Sequence, residues 1–158
     1  MRREFAIALE ESMDRDKSII LMVGDVGFGI FDSIKRKHPS RFFNMGSSEQ
    51  FMLGAAAGMA MEGKIPVCYS ITPFLLYRPF EFIRNFMNEE LIPIKLVGSG
   101  RDADYEEAGF THHAFEANSI LQEFKNIEVY FPASIEDLQL GVSSFLTSGH
   151  PGFLSLKR

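Results

Sequence analysis

The stretch Ser18-Ile19-Ile20-Leu21-Met22-Val23, halted by Gly24-Asp25, decides the fold. A strand with one face in water alternates apolar and polar side chains. An unbroken apolar run stopped by a turn residue instead marks a strand covered on both faces, as in a parallel sheet. Ligands of open α/β sheets bind at the carboxyl ends of strands, so the same run also draws attention to Gly24-Asp25.

Outward from this run the pattern repeats. Further strands are expected near Phe42 to Met45, Val67 to Ile71, Ile94 to Gly98, Ile127 to Phe131 and Gly152 to Leu156. Between them, helical spacing of apolar residues predicts helices near Phe31 to Lys37, Ser48 to Glu62, Phe74 to Glu89, Ala117 to Phe124 and Ile135 to Thr147. Before the run, Phe5, Ala8, Leu9, Ser12 and Met13 share the face of a first helix. The last helix carries its own signals. Ser134 with Asp137 forms a capping-box pattern, Leu138, Val142, Phe145 and Leu146 form one apolar face, and Gly149 precedes Pro151. Regular alternation of strand and helix predicts an α/β fold, a three-layer α/β/α sandwich around a mostly parallel sheet.

A length of 158 residues suits one domain, and no repeat or linker divides it, so residues 1–158 are expected to form a single unit. With 46% hydrophobic and 23% charged residues, the composition is that of a globular protein. The 16 basic and 21 acidic residues are interspersed, which excludes a basic stripe for nucleic acid. Cys68 has no second thiol, and Glu4, Glu10 and Glu11 interrupt any apolar leader, so a cytoplasmic location is expected. The longest apolar stretch, Phe51 to Met61, is too short and too rich in Gly and Ala for a membrane span.

Three segments after expected strands could carry chemistry. Gly24-Asp25-Val26-Gly27-Phe28-Gly29 lacks the spacing of a dinucleotide-binding fingerprint and by itself reads as a turn. In Gly46-Ser47-Ser48-Glu49-Gln50, an acid enters a helix that continues Gly54-Ala55-Ala56-Ala57-Gly58. Ser47 and Gln50 also match a capping box, so from spacing alone Glu49 reads as part of a helix start more often than as a catalytic acid. In Gly109-Phe110-Thr111-His112-His113, adjacent histidines rarely point at one ion, which speaks against a metal site; a histidine contacting a ligand, or a plain loop, remains open. Phe74 and Tyr77, three apart on a helix, could wall a planar ring.

Taken in order, Gly24-Asp25, Gly46-Ser-Ser-Glu-Gln, Gly54-Ala-Ala-Ala-Gly, Phe74-x-x-Tyr77-Arg78 and Gly109-Phe-Thr-His-His resemble the pyrimidine-binding domain of transketolases and deoxyxylulose-phosphate synthases along essentially the whole chain. The resemblance implies a thiamine-diphosphate-binding fold. It implies that Glu49 faces N1′ of the aminopyrimidine and acts as a proton relay, with Phe74 and Tyr77 packing on the ring. It further implies that Ile71 supplies apolar contact where many relatives have an aromatic, that Asp25 lies on the thiazolium side, and that His112 faces the substrate. Ala108 and Gly100 stand where transketolases have a sugar-reading aspartate and a substrate-binding histidine, so the usual sugar phosphate is not assured. The Gly-Asp-Gly and Asn that hold the diphosphate and its Mg2+ have no counterpart here. A diphosphate-binding N-terminal partner subunit is therefore expected to supply them, in a hetero-oligomer acting on a small-molecule sugar or 2-oxoacid. The alternatives are a subunit of a thiamine-diphosphate-dependent 2-oxoacid decarboxylase or dehydrogenase, and a non-catalytic assembly module.

Overall fold

A computed structural model describes residues 1–158. The opening run becomes β1, Ile19–Val23, buried at every position. It is followed by β2 (Phe42–Asn44), β3 (Ile65–Ile71), β4 (Lys95–Ser99), β5 (Glu128–Tyr130) and β6 (Gly152–Leu156). Every pairing is parallel, in the order β2-β1-β3-β4-β6-β5.

Strand alternation divides the core between two helical layers. Ile19, Leu21 and Val23 face a cluster with α1 (Arg2–Arg15), α2 (Asp32–Lys37) and α7 (Ile135–Thr147), in which Phe5, Leu9, Ile34, Leu138 and Leu146 are buried. Ile20 and Met22 face the opposite layer, built from α3 (Glu49–Met61), α4 (Thr72–Tyr77), α5 (Phe80–Phe82) and α6 (Ala117–Gln122). No helix is long and apolar enough to cross a membrane.

Three sequence expectations are corrected. The single helix expected from Phe74 to Glu89 is broken: α4 starts at Thr72, Pro79 follows its end, and residues Ile83–Glu89 wind as a π-helix after α5. Proline supplies no N–H to continue the ladder, and its ring crowds the preceding turn. The capping box at Ser47 does not form, because Ser48 is the N-cap of α3 and makes no side-chain cap bond. At the end of α7, Ser148 turns extended, and Gly149 does not adopt the left-handed backbone that a glycine stop implies. The start of α7 is as expected, with Asp137 N donating to Ser134 Oγ at 3.1 Å.

The strand order reverses on either side of β1, so the connections out of β1 and β2 leave in opposite directions. That reversal makes a topological switch point at the carboxyl ends of β1 and β3, the place where open α/β sheets form their ligand crevice. A second reversal lies between β4 and β6. A cavity of about 480 Å³ sits there, lined by residues that include Gly100, Arg101, Ser155 and Lys157.

Candidate functional site

Glu49 stands at the β1/β3 crevice as the first residue of α3, with its side chain fully buried. Two elements fix its carboxylate. From β3, Ser70 Oγ donates to Oε1 at 2.8 Å, and from the end of α4, Arg78 Nη1 donates to Oε2 at 2.6 Å. Strand alternation explains the serine: Ser70 shares the parity of Cys68 and so faces the α3 layer, whereas Tyr69 faces the other. Gly24, the first residue past β1, completes the cradle. A Cβ there would lie 2.9 Å from Ser70 Oγ and 3.0 Å from Glu49 Oε1, closer than side chains tolerate.

Phe74 lies beside this carboxylate. The Arg78 guanidinium stacks on it, 4.0 Å from the ring centroid, and His112 meets it edge-on with centroids 4.8 Å apart. His112 is brought here by the excursion after β4. That excursion is closed by an antiparallel bridge between Asp102 and Ala114 and pinned by Tyr105, whose hydroxyl lies 2.8 Å from Ser99 Oγ. Gly100, at φ 87°, gives the Tyr105 ring its space. Thr111 Oγ1 lies 3.0 Å from His112 Nδ1.

Of the residues singled out from sequence, Glu49, Phe74 and His112 converge. Asp25 stands on the exposed rim in a left-handed conformation, φ 57°, held by Asn44, whose Oδ1 accepts from Asp25 N at 3.1 Å and whose Nδ2 donates to Asp25 Oδ1 at 3.0 Å. Ile71 closes β3 and has the parity of Tyr69 rather than of Ser70. Tyr77 is packed on the core, with its buried hydroxyl unpartnered. Burial, with the negative charge of Glu116 adding to it, pushes that hydroxyl up to about 12. The Nε2 of His113 is also buried without a partner, and its ring meets Phe115 edge-on at 5.5 Å. Sequence reasoning gave no role to Ser70 or Arg78. The available signals were a hydroxyl at the carboxyl end of an otherwise apolar buried strand, and a cation set against a proline at a helix end.

The sequence model of the family described as "Transketolase, pyrimidine binding domain" matches residues 1–158. The chain belongs to this family. Among transketolase relatives, the "6-deoxy-6-sulfo-D-fructose transketolase subunit SqwH" of Clostridium sp. (strain MSTE9) is 28% identical over 172 residues, covering 100% of this chain and 53% of that protein. An apulose-4-phosphate transketolase subunit of Actinobacillus succinogenes is 32% identical over 99 residues, covering 63% of this chain and 32% of that protein. The solved structure described as "Split gene transketolase, inactive beta4 tetramer" matches with a TM-score of 0.86 at 27% identity, over 99% of this chain and 51% of that one. This transketolase pyrimidine domain thus spans about half the length of these relatives, or less. Its α/β fold with a six-stranded parallel sheet is that of the transketolase pyrimidine domain.

Proposed function

We propose that this chain is the pyrimidine-binding subunit of a split, thiamine-diphosphate-dependent transketolase-like enzyme, in which Glu49 is the proton relay at the aminopyrimidine. The observation that carries this reading is the fully buried Glu49 carboxylate at the β1/β3 crevice, oriented by Ser70 and flanked by Phe74. These residues fit the pyrimidine half of the cofactor. They offer a carboxyl group to hydrogen-bond a ring nitrogen, an aromatic face to stack on, and a glycine where a Cβ would intrude on the carboxylate. For the diphosphate and its Mg2+ the sequence offers only Gly24-Asp25-Val26 where the expected motif is Gly-Asp-Gly, and no downstream Asn in that context.

Thiamine diphosphate, when bound, supplies a thiazolium carbon that makes and breaks carbon–carbon bonds. Glu49 holds and shares a proton at N1′, which favours the 4′-imino form of the ring. Ser70 restrains one carboxyl oxygen and so aims the other into the crevice. Phe74 offers the stacking face, and Tyr77 adds apolar surface beside it. Ile71 adds apolar contact only from the strand end, where its parity is that of the other face. Asp25 borders the thiazolium side, and His112, edge-on to Phe74, reaches the substrate. The diphosphate and Mg2+ then fall to a partner subunit. The relatives named as transketolase subunits, and the split-gene structure, support that division.

The test mixes this chain with a diphosphate-binding transketolase subunit, thiamine diphosphate and Mg2+, and follows products from ketose phosphates and from 2-oxoacids. Ketol transfer is expected, and Glu49→Ala abolishes it while leaving the circular dichroism spectrum unchanged. Full turnover by folded Glu49→Ala overturns the relay.

A further inference from the structure

The Arg78 guanidinium is a flat, N–H-bearing group with one face on Phe74 and one N–H on the Glu49 carboxylate. An aminopyrimidine stacked on the face of Phe74 nearer Glu49, and bonded through N1′ to the Oε2 that Ser70 leaves free, would need the face and the oxygen that Arg78 occupies. Both cannot be there together. We infer that Arg78 is a built-in occupant of the pyrimidine site, which the cofactor must displace before Glu49 can act.

Two further features support displacement. Arg78 lies between the end of α4 and Pro79, where the helix is broken, and its side chain remains 42% exposed, so it has water to move into. Glu49, by contrast, is fully buried, and removal of its cation leaves a carboxylate with one hydrogen bond from Ser70. The free site is therefore kept neutral and filled by Arg78, and a ligand that restores a donor to Oε2 replaces what departs. When one state of a site excludes a ligand, apparent affinity falls by the fraction of molecules left competent. This inference rests on the reading of Glu49 as the pyrimidine carboxylate.

The probe is 4-amino-5-hydroxymethyl-2-methylpyrimidine, the aminopyrimidine half without thiazolium or diphosphate, titrated into the full chain and followed by NMR. Arg78→Ala is expected to bind it more tightly than the parent chain by on the order of tenfold, the factor for a site about nine-tenths occupied by its own arginine. Arg78→Lys, which keeps the charge and loses the planar stack, should fall between them. Adding Glu49→Ala to Arg78→Ala should remove the gain. Equal or weaker binding by folded Arg78→Ala, or no binding by any variant, overturns the inference. If Arg78→Ala gains nothing while Glu49→Ala still abolishes turnover in the assembled enzyme, the occupant fails and the relay stands. If Glu49→Ala keeps full turnover, the relay itself has failed.

Discussion

Glu49 illustrates how one residue carries two readings until its neighbours are known. An acid in the first turn of a helix favours the macrodipole wherever it lies. What separates this one from a helix start is burial and company: Ser70 and Arg78 spend their donors on it, and Gly24 forgoes a side chain beside it. Ser70→Ala should therefore cost about 1–3 kcal/mol of stability by leaving a buried acceptor short of a donor. It should also lower turnover in the assembled enzyme, with Ser70→Thr recovering part of both; denaturant titration and steady-state kinetics read the two effects. Gly24→Ala should be worse for activity than for folding, because its new methyl meets the Glu49 and Ser70 side chains themselves. Phe74 and His112 were legible as a candidate aromatic wall and a candidate ligand-contacting histidine. Their 4.8 Å contact was not, since it joins α4 to a loop that leaves and re-enters the sheet.

At the scale of elements, α7 was read from sequence from cap to apolar face, because each signal lies within its own few residues. Ser134→Ala should cost about 1 kcal/mol, the usual worth of a serine N-cap. For a chain of this size that is roughly 2–4 °C in Tm. The far end of α7 depends on a residue distant in sequence. Lys95, buried at the start of β4, donates from Nζ to Ser148 O at 2.9 Å and to His150 O. Burial lowers its ammonium from the ordinary 10.5 to about 8. Between those values the unfolded chain binds more protons than the folded one, so this group makes stability rise with pH from about 8 to 10.5. Burial raises Tyr69 and Tyr130, whose effect has the opposite sign, so the comparison must be a difference. Unfolding free energies of the parent minus those of Lys95→Met, measured across that range, should climb with pH. A flat difference would show that the lysine titrates normally in the fold.

At the scale of the molecule, the exposed face of α3 bears on assembly. Phe51 is 66% exposed, and with Gln50, Gly54, Ala55 and Phe82 it lines an open cavity one turn from Glu49. On the proposed reading, a partner that completes the cofactor site would approach this end of α3. Phe51→Glu is accordingly expected to leave the chain folded and to abolish association with the diphosphate-binding subunit, as read by analytical ultracentrifugation. The sequence by itself determined the α/β fold, the fully buried strand β1, the capped start of α7 and the family, because apolar periodicity and turn residues act over short spans of chain. Tertiary structure alone decided that β2, β1 and β3 are neighbours, which opens the crevice, and that Ser70, Arg78 and Gly24 meet at Glu49. Those residues lie on separate elements, and only the packing of helices onto an open parallel sheet brings Ser70 and Arg78 within hydrogen-bonding reach of Glu49 and sets Gly24 against them.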